Sequence, residues 1–83
     1  MYYVYVLLSE KNDQLYVGRT SDLQKRINEH QTGKVQTTNR LNPMKLIFFE
    51  GFIAKADAIR RERYFKTSKG KSSLKQIIRE SLV

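Results

Sequence analysis

The segment at residues 2–8 restricts the possible folds of this chain more than any other feature. It reads Tyr-Tyr-Val-Tyr-Val-Leu-Leu, and such a run of aromatic, β-branched and aliphatic residues is typical of a strand. Successive side chains of a strand point to opposite faces, and here both faces are apolar. The segment is therefore predicted to be a central strand that is covered on both sides.

Two further strands are predicted. Residues 15–18 form the second strand, which follows a turn at Asn12 and Asp13 and ends at Gly18. Residues 44–50 form the third strand, because the sequence Met-Lys-Leu-Ile-Phe-Phe-Glu is again rich in branched and aromatic side chains.

The first helix is predicted directly after the second strand. Ser21 is its expected N-cap, in a capping box with Gln24. The helix ends near Thr32, because Gly33 is a favourable C-terminal stop. The polar and aperiodic residues 34–43 that follow are predicted to form a loop.

Two more helices complete the predicted architecture. One covers about residues 54–67 and has no evident N-cap residue, and a basic break at residues 68–71 separates it from an amphipathic last helix. The order β-β-α-β-α-α predicts an α+β fold in which a three-stranded antiparallel sheet is flanked by three helices. A length of 83 residues predicts a single domain, residues 1–83.

Charge points to a polyanionic partner. The chain has 16 Lys and Arg residues against 8 Asp and Glu residues, a formal net charge of +8. Nucleic acid is the first partner expected, although an anionic membrane surface or a ribosomal environment would explain the charge equally well. The chain has no cysteine, and no segment reads as a membrane span or secretory signal, so a cytoplasmic protein is predicted.

Basic residues concentrate around the second predicted helix and the break after it, with others in the preceding loop. Such a set could follow a nucleic-acid backbone, although a solvated charged face is the ordinary alternative. The residues predicted to contact DNA are Arg19, Lys34, Arg40, Lys66, Lys69 and Lys71.

Glu62 lies among the apolar residues of the second predicted helix. A carboxylate in such a position is costly unless it is paired or binds a cation. One interpretation is a salt bridge with Arg61, Lys66 or a basic loop residue. The other is a ligand for Mg²⁺, which needs only one or two carboxylates because it keeps several waters.

Arg26 and His30 are one helical turn apart, so their side chains are neighbours. An arginine at the edge of an apolar helix face can hold a phosphate through two hydrogen bonds, although a solvated arginine is commoner. His30 is the only histidine of the chain. On an apolar face a histidine is more often a satisfied core residue than a base or a ligand.

Tyr5 and Tyr16 supply hydroxyl groups on the first two strands. Packing across a hairpin is the commoner role for such residues. A tyrosine can also act on a water or a phosphate oxygen, but its pKa near 10 makes it a poor base unless nearby positive charge lowers that value.

Taken together, these residues resemble the GIY-YIG nuclease family, in particular its small single-domain members and the GIY-YIG domain of the DNA-repair excision incision subunit. The two motif tripeptides are Tyr3-Val4-Tyr5, which lacks the glycine, and Tyr16-Val17-Gly18. Residues 16–30 look like the strand-to-helix signature of the family. Arg26, His30 and Glu62 fall where the family has its arginine, its histidine or tyrosine, and its glutamate.

The resemblance implies hydrolysis of a DNA phosphodiester with one divalent cation, Mg²⁺ or Mn²⁺. Glu62 would hold the metal, Arg26 would steady the phosphate charge, His30 would support the site, and Tyr5 or Tyr16 would help to activate the attacking water. Larger relatives carry an asparagine after the glutamate helix, and here Thr67 or Ser68 lies in that region instead.

The expected function is a metal-dependent DNA endonuclease that is structure-selective or only weakly sequence-specific, acting as a monomer. The alternative is a nucleic-acid-binding module with the same fold and little or no cleavage. A basic structural or ribosome-associated protein would explain the charge but would leave Glu62 without a reason.

Overall fold

A three-stranded antiparallel sheet forms the centre of the computed structural model, which describes residues 1–83. Its strands are β1 (Tyr2–Ser9), β2 (Leu15–Thr20) and β3 (Met44–Phe52), in the order β2-β1-β3. The strand with two apolar faces is therefore the central one, as its sequence predicts. Because β1 pairs on both sides, β2 and β3 are the edges of the sheet.

Four helices accompany the sheet: α1 (Leu23–Gln31), α2 (Gln36–Asn39), α3 (Lys55–Phe65) and α4 (Ser68–Ile77). The α+β class and the antiparallel three-stranded sheet are confirmed. The structure has one helix more than the three predicted: the short helix α2 lies in the segment that was expected to be a loop. None of the helices has both the length and the apolar character that a bilayer crossing requires.

The two faces of β1 support two separate cores. Val4 and Val6 point to one face and pack with a cluster from α3 and the α4 region, namely Ala58, Phe65, Leu74 and Ile78. Tyr5 and Leu7 point to the other face and pack with Ile27, Leu41 and Met44. The pairs α1–α2 and α3–α4 therefore cover opposite faces of the sheet.

Gly18 does not end β2, contrary to the prediction. The strand continues to Thr20, and Gly18 pairs directly with Tyr5 of β1. A Cβ at position 18 would lie 2.4 Å from both Cζ and Oη of Tyr5. The glycine is therefore needed inside the strand, because the Tyr5 ring lies across it.

The first helix begins one residue later than predicted. Asp22, and not Ser21, is its N-cap, and the Asp22 carboxylate accepts a hydrogen bond from the Lys25 amide at 3.2 Å. The helix C-terminus agrees with its prediction, because Thr32 is the C-cap and Gly33 follows with φ of +78°.

The predicted break at residues 68–71 is wrong, because these residues form the first turn of α4. Thr67 caps that helix by accepting a hydrogen bond from the Gly70 amide at 3.0 Å. Gly70 is buried against α3, where an added Cβ would lie only 1.7 Å from the Tyr64 carbonyl oxygen. The glycine thus permits close approach of two helices and does not interrupt one.

Candidate active site

Three aromatic rings form the centre of the candidate site, on the face of the sheet covered by α1 and α2. The centroid of the His30 ring lies 5.6 Å from that of Tyr5 and 5.1 Å from that of Tyr16, and the two tyrosine centroids are 6.4 Å apart. Adjacent strands carry Tyr5 and Tyr16, and α1 delivers His30 from above the sheet. The sequence predicted this group, and the structure brings all three residues together.

Tyr5 and His30 are joined by a buried hydrogen bond. The Tyr5 hydroxyl lies 2.8 Å from His30 Nε2, and the other ring nitrogen, Nδ1, lies 2.7 Å from Thr38 Oγ1. Tyr5 is 1% exposed, and both His30 and Thr38 are 0% exposed. His30 is therefore a satisfied core residue, as its apolar position favours, and it is also the direct hydrogen-bond partner of the candidate catalytic Tyr5.

Burial controls the protonation of this pair. Burial lowers the pKa of His30 below its ordinary 6.5, and the positive charge of Arg26 acts in the same direction, so the imidazole is neutral at pH 7. Burial also raises the pKa of Tyr5 above 10.0, with contributions from Tyr16 and Glu62, while Arg26 opposes the increase. Without a bound metal ion Tyr5 is therefore a neutral phenol at neutral pH, because the charge of Arg26 does not outweigh the effect of burial on its pKa.

Arg26 lies at the border between this cluster and solvent. Its guanidinium is close enough to the Tyr5 hydroxyl to act on the tyrosine pKa, and its Nη1 donates to Glu29 Oε1 at 3.2 Å. About a third of the Arg26 side chain is exposed. An arginine that is partly open to solvent and backed by a carboxylate remains available to an incoming phosphate.

Glu62 reaches the same edge of the sheet from the opposite face. Its Oε1 accepts a hydrogen bond from Arg19 Nε at 3.2 Å, and its Oε2 accepts one from Lys66 Nζ at 3.0 Å. Burial alone would raise the Glu62 pKa, but the hydrogen bonds and charges of Lys66 and Arg19 outweigh burial and lower it. The carboxylate is therefore ionised at neutral pH, and the predicted ion pair with Lys66 is present.

Arg61 is excluded as the partner of Glu62, because it forms a two-bonded ion pair with Glu50 of β3 at 2.8 and 3.2 Å. Its guanidinium carbon also lies 4.3 Å from the centroid of the Phe65 ring. Arg61 is thus part of the packing of α3 on the sheet and stands apart from the candidate site.

Arg19 connects the two halves of the site. It lies on the face of β2 that α3 covers, pairs with Glu62, and borders a shallow polar groove of about 360 Å³ together with Arg26. The charge of Glu62 also acts on the Tyr5 hydroxyl. The site therefore lies where the edge strand β2 separates the two faces, with aromatic groups on one side and the carboxylate on the other.

A metal ion at this edge would depend on Glu62 alone. No group of three or more His, Cys, Asp or Glu side chains is arranged to hold an ion. One ionised carboxylate fits Mg²⁺ that keeps most of its waters, but both Glu62 oxygens already accept hydrogen bonds from cations. The residues fit a weakly bound ion that displaces Lys66 or Arg19, and they do not form a preassembled cage.

The basic residues predicted to contact DNA separate into two groups. Lys34 and Arg40 flank α2 on one face of the sheet, whereas Lys66, Lys69 and Lys71 belong to the α3–α4 side. Lys66 and Lys71 border a largely apolar groove of about 500 Å³ between β2 and α4. The cations thus lie on both sides of the β2 edge and do not form one continuous stripe.

Two residues that contact the site went unnoticed in the sequence. Thr38, on α2, hydrogen bonds to His30, and the Asn42 side-chain amide donates to the His30 carbonyl oxygen at 3.0 Å. Both fall in the aperiodic segment at residues 34–43, where no hydrophobic pattern indicates which side chains are buried.

Comparisons with known proteins agree with the fold and identify the family. The family model described as the GIY-YIG catalytic domain matches residues 1–76. A UPF0213 protein of Clostridium perfringens is 39% identical over 99% of this chain and 88% of its own length. A UPF0213 protein of Streptococcus agalactiae is 40% identical over 90% of this chain and 85% of its own.

A solved structure is similar over nearly the same extent. The solution NMR structure of a UPF0213 protein from Bacillus halodurans is 31% identical to this chain. It covers 93% of this chain and 85% of its own, with a TM-score of 0.58. The sequence relatives and the structural neighbour therefore carry the same UPF0213 description.

Proposed function

This chain belongs to the GIY-YIG family, and on that premise we propose that it is a divalent-metal-dependent endonuclease that hydrolyses DNA phosphodiester bonds. The proposal rests on one observation: three kinds of reactive group, carried by different elements, meet at the β2 edge. They are an arginine open to solvent, a hydroxyl bonded to a neutral imidazole, and an ionised carboxylate. Packing alone does not require all three at one edge.

Arg26 and Arg19 would bind the scissile phosphate. Both guanidinium groups border the same shallow groove, so a phosphate placed there meets two fixed positive charges. Two such donors stabilise the extra negative charge that develops on the phosphoryl oxygens during attack. Phosphate binding would also compete with the carboxylates that hold these arginines, Glu29 and Glu62.

Tyr5 would accept the proton of the attacking water, and His30 would make that possible. Because the phenol is neutral, it acts by exchange: the water O–H bond breaks as a new Tyr5 O–H bond forms. The original Tyr5 proton passes to His30 Nε2, 2.8 Å away. His30, neutral before the step, becomes an imidazolium when it takes up this proton, and no free phenolate is required.

Glu62 would hold the metal ion as an anionic oxygen ligand. A bound divalent cation supplies Lewis-acid stabilisation of the phosphate and of the leaving oxygen. Lys66 and Arg19 keep the carboxylate ionised at neutral pH and hold its orientation. Nearby lysines of α4 would contact the DNA backbone beyond the scissile phosphate.

A second function is favoured by two observations. Both oxygens of Glu62 are engaged by cations, and Tyr5 is only 1% exposed. A protein that binds DNA through the same surface and cleaves slowly or not at all would have these properties. The two functions share their binding residues and differ only in chemistry.

Cleavage assays separate the two functions. Branched, gapped and plasmid DNA are incubated with the protein in Mg²⁺, in Mn²⁺ and in chelator. We expect metal-dependent cleavage that favours branched or gapped DNA. Glu62→Gln and Arg26→Ala should each reduce the rate by about 10²–10³-fold, the loss typical of one electrostatic group at a reaction centre.

Glu50→Gln is the matched control for Glu62→Gln, because Glu50 is also a partly buried carboxylate in an ion pair and lies outside the site. It should keep its cleavage rate. Cleavage that persists in Glu62→Gln and Arg26→Ala contradicts the proposed site. Tight, salt-sensitive binding without cleavage of any substrate supports the binding module instead.

A further inference from the structure

A chain of buried hydrogen bonds continues from Tyr5 through His30 to α2. His30 Nδ1 lies 2.7 Å from Thr38 Oγ1, and Thr38 Oγ1 lies 3.3 Å from the Val35 carbonyl oxygen. His30 and Thr38 have no exposed surface. Water therefore does not compete for these bonds, and the direction of each is set by the groups themselves.

The groups at the two ends of this hydrogen-bond chain indicate which member donates in each bond. The Val35 carbonyl can only accept, and when the Thr38 hydroxyl donates its single proton there, at 3.3 Å, it accepts from Nδ1. A neutral imidazole carries one proton, so Nε2 has none and accepts the proton of the Tyr5 hydroxyl.

Arg26 supports the same direction from the other end. The guanidinium beside the Tyr5 hydroxyl has only donors and cannot accept the phenol proton. If Nε2 were protonated, Tyr5 would face two donors and its proton would have no acceptor in this buried position. His30 Nε2 is therefore the acceptor that Tyr5 requires.

We propose that Thr38 is a positioning residue that keeps the His30 proton on Nδ1 and thereby leaves Nε2 free to receive a proton from Tyr5. This rests on the proposed nuclease function for its consequence in catalysis. The position of the His30 proton, by contrast, is a property of the folded protein in the absence of DNA, so it does not depend on nuclease activity. The one-turn helix α2 has a corresponding role, because it carries the Thr38 hydroxyl to the back of the imidazole.

Asn42 strengthens this arrangement from the end of the same segment. Its side-chain amide donates to the His30 carbonyl oxygen at 3.0 Å, while its own Oδ1 is buried without a partner. The segment at residues 34–43 therefore holds His30 at both its ring and its backbone.

The tautomer can be measured directly, because His30 is the only histidine. Long-range ¹H–¹⁵N correlation spectra of the labelled, metal-free and DNA-free protein distinguish a protonated ring nitrogen from an unprotonated one. In the wild type we expect Nδ1 to be protonated and Nε2 to be unprotonated. A protonated Nε2 in the wild type overturns the proposal.

Two substitutions at position 38 isolate the hydroxyl. Thr38→Val keeps the shape and removes the hydroxyl, and Thr38→Ser keeps the hydroxyl and removes a methyl group. Thr38→Val should move the two ¹⁵N shifts toward a mixture of tautomers, and Thr38→Ser should restore the wild-type pattern. Unchanged shifts in Thr38→Val overturn the proposal, and thermal melting confirms that each variant is folded at the measuring temperature.

Cleavage kinetics then test the consequence for catalysis. Thr38→Val should lower kcat by about 10–100-fold, the usual effect of removing a partner that orients a reacting group. The KM for DNA should not change, and Thr38→Ser should recover most of the rate. A shifted tautomer with an unchanged kcat contradicts the positioning role.

Failure of the proposed function gives a different result. If the wild type cleaves none of the substrates while its ¹⁵N shifts show the Nδ1-protonated form and respond to Thr38→Val, the nuclease proposal fails and the tautomer assignment holds. The proposal on Thr38 then describes only how a buried imidazole is oriented.

Discussion

The two faces of the sheet bury side chains equally deeply, but only the α1–α2 face adds a buried hydrogen-bonded chain to its apolar residues. On the α3–α4 face, Val4, Val6 and Phe65 form an apolar core in which no buried side-chain polar atom takes part. On the α1–α2 face, Tyr5, His30 and Thr38 are just as buried but form a hydrogen-bonded chain. An apolar core is stabilised by burial in proportion to its area, whereas a polar chain is stable only if every member has a partner.

This difference separates stability from chemistry. The apolar face holds the fold together and tolerates exchange between side chains of similar volume. The hydrogen-bonded chain on the other face places the reactive groups, and almost no exchange of its side chains is tolerated. Substitutions on the two faces should therefore fail in different ways, and four predictions test this.

Phe65→Ala should have the largest effect on stability. Phe65 is fully buried between the sheet and α4, and the loss of a buried phenylalanine costs about 3–5 kcal/mol. A small domain has only about 5–15 kcal/mol in total, so much of its stability is removed. Urea unfolding measures the change.

Phe49→Ala makes the same substitution on β3, where the ring is 51% exposed. It should cost less than about 1 kcal/mol, as is usual for surface positions. Equal losses at positions 49 and 65 would contradict the assignment of the main core to the α3–α4 face.

Gly18→Ala should disturb the polar face with a smaller stability loss. The added methyl group meets Tyr5 Cζ and Oη at 2.4 Å, so the ring must shift away from position 18 and the hydroxyl that bonds to His30 shifts with it. Overpacking of this kind costs about 1–3 kcal/mol. The expected signature is a changed His30 ¹⁵N spectrum in a folded protein, and a folded variant with an unchanged spectrum would refute the steric role of Gly18.

Acid should weaken the polar face first. The His30 pKa in the folded state lies below 6.5, so the unfolded chain takes up the proton at higher pH than the folded protein does. The contribution of His30 to the free energy of unfolding is complete above pH 6.5. It declines as the pH falls from 6.5 toward the lowered pKa of the folded state. Burial is the main cause of the lowered His30 pKa; Arg26 extends this pH window to lower values and Glu29 shortens it.

Denaturant unfolding as a function of pH measures this decline. His30→Gln should be less stable throughout but should lose the slope just below pH 6.5, because glutamine does not titrate. Glu62 acts only at lower pH, since its pKa is lowered from 4.5. If the slope near pH 6 persists in His30→Gln, another group is responsible.

Lys66→Met should have the smallest effect on stability, at most about 1 kcal/mol, because Lys66 is half exposed and its ion pair is open to water. The pKa of Glu62 should rise, since Lys66 contributes the leading interaction that lowers it. Titration of the Glu62 side-chain carbon by NMR measures the change. Lys69→Met, at the second residue of α4 and outside this pair, should leave the Glu62 titration unaltered.

Some of this arrangement could be predicted from the sequence. The two apolar faces of residues 2–8 require a covered central strand, and the spacing of Arg26 and His30 places them one turn apart on a helix. Glu62 stands out because it interrupts an apolar helix face. These features are local, so periodicity alone reveals them.

Other features depend on contacts between distant segments. Gly18 and Gly70 look like a strand end and a helix break, but each is required by a group approaching from another element, the Tyr5 ring and the Tyr64 carbonyl. Thr38 lies in a segment without periodicity, and its importance follows only from the position of His30. A sequence shows where a glycine or threonine occurs, but the neighbour that requires it is known only from the fold.

The central position of β1 has a consequence for local opening of the molecule. Amides of a strand that is bonded on both sides exchange with solvent only when most of the sheet opens, whereas short helices at the periphery exchange through smaller fluctuations. Tyr5 is therefore anchored in the slowest-exchanging part of the protein, and Thr38 is carried by a helix of four residues. Brief detachment of α2 would admit water to the His30 ring while the sheet stays intact, so deuterium uptake should rise at residues 36–39 well before it rises at residues 3–8.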